Sequence, residues 1–95
     1  MKYKVSMSVY LEGYIDFICS LLKFTPYISL ETEGICIWDN YSRDDYILDM
    51  VIYDDKYSYY LKIKDQEYTV DDIPIEELTT DKNLLKLKKY NYELS

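Results

Sequence analysis

The stretch Tyr46–Val70, YILDMVIYDDKYSYYLKIKDQEYTV, constrains the fold of this chain more than any other. Successive side chains of a strand point to opposite faces, so alternation sorts residues by side. Tyr46, Leu48, Met50 and Ile52 share one face of a first strand, and Tyr57, Tyr59, Leu61 and Ile63 share one face of a second. A two-residue turn at Asp54-Asp55 sets Ile52 opposite Tyr57, Met50 opposite Tyr59 and Leu48 opposite Leu61, which puts both apolar sets on the same side. A second tight turn at Asp65-Gln66 would set Ile63 opposite Tyr68 and Leu61 opposite Val70, with Lys64 facing Glu67 on the wet side. The expectation is a three-strand antiparallel meander over residues 46–70.

Around it the pattern predicts an α+β fold in one domain, residues 1–95. Tyr3, Val5, Met7, Val9 and Leu11 alternate with Lys4, Ser6, Ser8 and Tyr10, the pattern of a half-buried N-terminal strand that Gly13 would end. From Tyr14 the period changes. Ile15, Ile18 and Leu22 fall on one helical face, and Thr25-Pro26 stops the helix, giving one packing helix over residues 14–24. Ile35–Trp38 reads as a short apolar strand after Gly34, followed by a polar turn from Asp39 to Asp45. Asp71 or Asp72 can cap a short helix near 74–79 that has Pro74 in its first turn. At the C-terminus two patterns compete. Thr80 could cap a helix through Leu84, Leu87 and Lys88, whereas Tyr90, Tyr92 and Leu94 alternate like a strand, and a strand within 85–94 is the reading adopted.

Ninety-five residues, nearly half of them apolar or aromatic, suffice for one modest core and are far from the composition of a disordered acidic chain. Tyrosine is the outlier, with 13 residues against two Phe and one Trp. A ring that buries well and a hydroxyl that wants a polar partner suit a thin sheet with one half-wet face, and exposed tyrosines also suit a protein interface. Cys19 and Cys36 lie in apolar contexts without a second pair, as expected of reduced buried thiols rather than a metal site. No apolar run approaches the ~20 residues needed to span a bilayer, and the N-terminus lacks an uninterrupted apolar signal core. No membrane partner and a cytoplasmic location are expected.

The net charge of −7 hides an asymmetry. Residues 31–81 hold fifteen acidic and four basic side chains, net −11, against +1 for residues 1–30 and +3 for residues 82–95. The acid concentrates in the turns and flanks of the meander: Asp44-Asp45, Asp54-Asp55, Asp65 with Glu67, Asp71-Asp72 and Glu76-Glu77. Acidic turns are good turns and good surface in their own right. Presented together from a rigid sheet, they also form a negative field that selects a basic partner and repels phosphate, so no direct nucleic-acid contact is expected. Carboxylates at suitable spacing can instead occupy a groove built to neutralise phosphates.

Catalytic chemistry is poorly supported. The chain has no histidine, which removes the commonest general base and metal ligand, and its two glycines, Gly13 and Gly34, stand alone, so there is no phosphate loop. The acidic doublets sit in polar contexts where ordinary pKa values are expected. DNYSRDD over Asp39–Asp45 places Tyr41 and Arg43 where a calcium loop needs oxygen ligands. No enzymatic activity, no metal and no cofactor are expected.

Tyr59–Asp81, YYLKIKDQEYTVDDIPIEELTTD, and the closing YELS resemble small acidic inhibitors carried by bacteriophages, in particular the type II-A anti-CRISPR proteins. The shared features are a Tyr-Tyr-apolar-x-Ile strand, an Asp-Asp-apolar segment, a Thr-Asp pair and a terminal Glu-Leu, over about a third of the chain. The resemblance implies a non-enzymatic protein, acting in the host cytoplasm, that binds a guide-loaded CRISPR effector nuclease at its Arg- and Lys-rich recognition surface, with carboxylates standing in for phosphates. The contacts would come from Asp44, Asp45, Asp54, Asp55, Asp71, Asp72, Glu76 and Glu77, with Tyr53 and Tyr60 as aromatic anchors. Two other classes fit the same charges: an immunity or antitoxin protein that plugs a toxin nuclease, and a homo-oligomeric structural or assembly protein that uses a sheet edge or a tyrosine-rich face. The chain itself would be a monomer or a homodimer.

Overall fold

A computed structural model describes residues 5–23, 25–31, 34–39 and 46–92, with side chains from Leu11 onward. The order is helix α1 (Val5–Leu21), strands β1 (Tyr27–Leu30), β2 (Ile35–Asp39), β3 (Tyr46–Ile52), β4 (Lys56–Ile63) and β5 (Gln66–Pro74), a 3-10 segment (Ile75–Thr80) and helix α2 (Lys82–Tyr92). The strands form one antiparallel sheet in chain order, β1 to β5. The α+β class follows, as the alternation predicts, although the meander grows to five strands.

The β3–β4 register is the expected one, with Ile52 opposite Tyr57, Met50 opposite Tyr59 and Leu48 opposite Leu61. The β4–β5 register differs by two residues. Ile63 pairs with Gln66, Leu61 with Tyr68 and Tyr59 with Val70, so the turn is Lys64-Asp65 rather than Asp65-Gln66. A slip of two preserves the face of every side chain, so the apolar pattern alone cannot distinguish the two registers. Both turns are two residues long, and in the observed one Lys64 takes the left-handed φ of 55° that such a hairpin turn needs.

The inner face of the sheet carries the core: Ile35, Ile37, Tyr46, Leu48, Met50, Ile52, Tyr57, Tyr59 and Leu61 are all buried. The helices close it with Leu11, Ile18, Leu21 and Leu22 from α1, Ile75 and Leu78 from the 3-10 segment, and Leu84 and Leu87 from α2. At ~25 cal/mol per Å² of apolar area removed from water, this single cluster is the dominant stabilising term.

The N-terminal strand and the boundaries of the packing helix are corrected by the structure. The helix starts at Val5, not Tyr14, and ends at Leu21. Leu11, Ile18 and Leu22, all buried, continue the helical stripe upstream through Gly13. Gly13 is no breaker here: a Cβ at that position would meet nothing within 4 Å, so its cost is only the ~1 kcal/mol of conformational freedom.

The C-terminal strand is corrected as well. Residues 82–92 are helix α2, because Leu84, Leu87 and Asn91 form a buried stripe whose helical period outweighs the Tyr90–Leu94 alternation. The buried Asn91 is satisfied, since its Nδ2 donates to the Leu21 carbonyl at 2.8 Å and ties α2 to the end of α1. The short helix expected near 74–79 is the 3-10 segment at 75–80, entered at Pro74 with no side-chain cap, so Asp71 and Asp72 are not its caps. They lie in β5, where an irregularity between Tyr57 and Tyr59 places two β5 residues against Ser58. In that bulge Asp72 takes φ 55° and its N–H donates to Ser58 Oγ at 2.9 Å.

Candidate protein-docking surface

The β3–β4 turn runs through Asp54 and Asp55, and the backbone N–H of Tyr53 donates to the Lys56 carbonyl at 2.8 Å to close it. The exit from β5 is pinned to the same place. Lys56 is opposite Pro74 in the ladder, and the N–H of Ile75 donates to the Asp55 carbonyl at 2.9 Å. Glu76 and Glu77 occupy the first turn of the 3-10 segment directly beyond. The bulge with Asp71 and Asp72 lies just before it, close enough for Lys56 Nζ to pair with Asp72 at 3.6 Å.

Six of the ten residues singled out from sequence therefore converge on one end of the sheet: Asp54, Asp55, Asp71, Asp72, Glu76 and Glu77, all exposed. Lys56 sits among them, its ammonium 5.4 Å from the centre of the Tyr53 ring, so Tyr53 borders this cluster half-buried. The Lys56–Asp72 pair is exposed and contributes little stability, leaving a surplus of negative charge.

Tyr60 lies elsewhere, half-buried on the outer face and opposite Asp49 in the ladder. With Asp49, Val51, Ser58 and Asp71 it lines a shallow groove across the strands. Its phenol is held above the usual tyrosine range by lost hydration, then by the charge and hydrogen bond of Glu67. Asp71 connects this groove to the acidic end. Asp49 is the residue the candidate set misses, and the β3–β4 register, legible in the sequence, already places it against Tyr60. Asp44 and Asp45 lie outside the described residues.

A part-buried polar hub ties this end together. Asp81 accepts hydrogen bonds from the hydroxyls of Tyr57 at 2.7 Å and Tyr59 at 2.8 Å. Its Oδ1 also accepts from the backbone N–H groups of Asn83 at 2.9 Å and Leu84 at 3.1 Å, which makes it the N-cap of α2. One carboxylate thus ties β4 to the junction of the 3-10 segment and α2. Burial, followed by the hydrogen bond to Asp81, pushes both phenols far above the tyrosine range, so they remain donors across the physiological pH range. Thr80, weighed as the cap from sequence, instead donates to the Glu77 carbonyl at 3.3 Å.

The other end of β4 gathers lysines, beside Asp65 of the turn and Glu67, which is opposite Lys62. Lys64, Lys86 and Lys89 surround a groove floored by Ile63, Tyr68 and Tyr90. Lys86 Nζ lies 4.7 Å over the Tyr68 ring and Lys64 Nζ 5.6 Å over Tyr90.

Two further polar features bear on chemistry. Cys19 and Cys36 are free, half-buried thiols, and burial raises both pKa values first, reinforced by Asp16 at Cys19 and by Glu31 and Asp49 at Cys36, so they stay protonated and poorly nucleophilic. Asp39, fully buried at the end of β2, accepts a hydrogen bond from the Tyr46 hydroxyl through Oδ2, while its Oδ1 has no partner among the described residues. Among the described residues no three His, Cys, Asp or Glu side chains are grouped to hold a metal ion, and no helix is long and apolar enough to cross a membrane.

Comparison of the chain with protein-family models, with curated proteins and with solved structures finds no match.

Proposed function

We propose that this chain is a non-enzymatic acidic inhibitor, anti-CRISPR-like in its mode of action, that occludes the basic nucleic-acid-binding surface of a CRISPR effector nuclease in the host cytoplasm. The observation that carries the reading is the gathering of Asp54, Asp55, Asp71, Asp72, Glu76 and Glu77 at one end of the sheet, held by the Ile75–Asp55 backbone bond and by the Asp81 hub behind it.

Physically, a groove lined by Arg and Lys gains affinity by neutralising phosphates, and carboxylates fixed on a stiff support can occupy it with little ordering cost. Tyr53 at the border of the cluster and Tyr60 on the outer face add rigid aromatic area of the kind that anchors protein interfaces. The positive groove around Lys64, Lys86 and Lys89 at the far end would orient the approach, because a basic partner repels that end while it attracts the other.

The test is inhibition of a purified guide-loaded effector in cleavage assays with target DNA, with the charge-reversed variants D54K/D55K and D71K/D72K alongside the unaltered chain. The expected result is inhibition by the unaltered chain that weakens from 50 to 300 mM salt and is lost in both variants, whose circular dichroism stays native. Full inhibition by both reversed variants overturns the reading. Inhibition of a toxin nuclease by the unaltered chain, with no effect on any effector, replaces it with the immunity-protein class.

A further inference from the structure

We propose that β1 is a self-pairing edge, and that two copies of this chain join through it about a two-fold axis at Ser29 into one continuous ten-stranded antiparallel sheet. The inference is independent of the reading of the acidic end.

The hydrogen-bond phase comes first. The N–H of Glu31 donates to the Gly34 carbonyl at 2.8 Å, which makes 31 and 34 a bonded pair of the β1–β2 ladder. Alternation then directs the backbone groups of Tyr27 and Ser29 toward β2, opposite Trp38 and Cys36, and those of Ile28 and Leu30 to the open side. The edge, unpaired among the described residues, therefore offers two residues, Ile28 and Leu30, each with one N–H and one C=O.

The side-chain phase agrees. Ile28 and Leu30 are opposite Ile37 and Ile35, so they share the core face, yet they are 43% and 61% exposed because the core stops short of this edge. An antiparallel partner must match face to face and bonded residue to bonded residue. Pairing Ile28 with Leu30 of a second copy meets both conditions twice over. It gives four backbone hydrogen bonds, covers four apolar side chains, and leaves Ser29 opposite its own symmetry mate as a non-bonded pair. This self-complementarity is what commits the edge to a second copy.

Charge placement favours the same occupant. The segment Tyr27–Leu30 has no charged residue in a chain of net −7, and the adjoining Glu31 carboxylate is taken up by a hydrogen bond from Ser29 Oγ on the outer face. The acidic residues Glu67, Asp71 and Asp72 lie on β5, the opposite edge of the sheet. Pairing through β1 therefore puts the two β5 edges at the outer limits of the assembly, where their mutual repulsion is screened beyond a Debye length of about 8–10 Å.

The experiment uses the full chain. Sedimentation equilibrium should show a monomer–dimer equilibrium, abolished by Ile28→Lys and by Leu30→Pro, both with native circular dichroism; Leu30→Pro removes an outward N–H that the β1–β2 ladder does not use. In a C36S background, S29C should be trapped as a disulfide dimer under mild oxidant at least about tenfold faster than I28C, because non-bonded mates lie ~4.5 Å apart at Cα whereas Ile28 is offset from its own mate beyond the ~7 Å that a disulfide spans. A chain that is monomeric at every concentration overturns the proposal. So does a dimer that survives Ile28→Lys and cross-links equally at both positions, which would put the contact on another surface.

Discussion

β5 and β1 are the two edges of one sheet, and their residues treat the exposed ladder in opposite ways. Along β5, Glu67, Asp71 and Asp72 place charge at the edge, and the bulge with Asp72 at φ 55° breaks the regular spacing that another strand would need. Pro74 ends it. Along β1 there is no charge, and Tyr27, Ile28 and Leu30 are exposed large side chains. Charge, bulges and proline are the devices by which sheet edges avoid pairing, so β5 is defended and β1, among the described residues, is not. On the two proposals above, one sheet would separate two kinds of contact: an electrostatic one at the acidic end beside β5, and a backbone-mediated one at β1.

The sharpest way to break the comparison is to loosen the β5 side alone. Asp81→Ala removes the α2 cap and leaves two buried hydroxyls without their acceptor; with about 1 kcal/mol for the cap and about 1–3 for each hydroxyl, a loss of about 3–7 kcal/mol is expected. Denaturant unfolding measures it. Hydrogen exchange should accelerate in β4, β5 and α2 before β2 and β3, and uniform acceleration would contradict the hub.

On the β1 side the sensitive point is Gly34, where an added Cβ would sit 2.9 Å from the Ile52 carbonyl oxygen and 3.2 Å from side-chain atoms of Tyr53 and Val51. Because the nearest obstacle is backbone, Gly34→Ala should cost about 1–3 kcal/mol through displacement of the β1–β2 hairpin. It should also weaken self-association more than it affects inhibition, so equal effects on both would show that the two edges are not separable.

The smallest effect is alkaline. Tyr57 and Tyr59 have folded pKa values above the unfolded value of about 10. Their contribution is fully present below pH 10. Above it the unfolded chain releases protons that the folded chain retains, so stability falls by about 1.4 kcal/mol per pH unit for each phenol. Tyr57→Phe should be less stable at neutral pH yet show a shallower fall between pH 10 and 11 in urea unfolding. An unchanged slope would mean that this phenol ionises as freely folded as unfolded.

Local pattern was enough for β3 and β4, where alternation and a two-residue turn left one register consistent with a buried face. It was not enough for β4–β5, where registers two apart bury the same residues and the backbone of Lys64 chose between them. It misread Val5–Leu11, whose alternating apolar residues also fit the first turns of a helix once Leu11, Ile18 and Leu22 are counted together. It also misread Tyr90–Leu94, where the stripe formed by Leu84, Leu87 and Asn91 needed the end of α1 as its partner. Of the candidate site, the acidic doublets and Tyr53 were legible as residues. Their convergence was not, because it depends on a contact between Asp55 and Ile75 that sequence separation hides.

By itself, then, the sequence determined the α+β class, the β3–β4 core and the acidic character of the middle of the chain, since each rests on short-range alternation or on counting charges. Only the tertiary structure decided that the acidic doublets gather at one end of the sheet, that Asp81 ties β4 to the start of α2, and that β1 and β5 are the two edges of the sheet. Those properties arise from side chains and backbone groups brought together across the sheet, and no local pattern encodes which strand will be left without a neighbour.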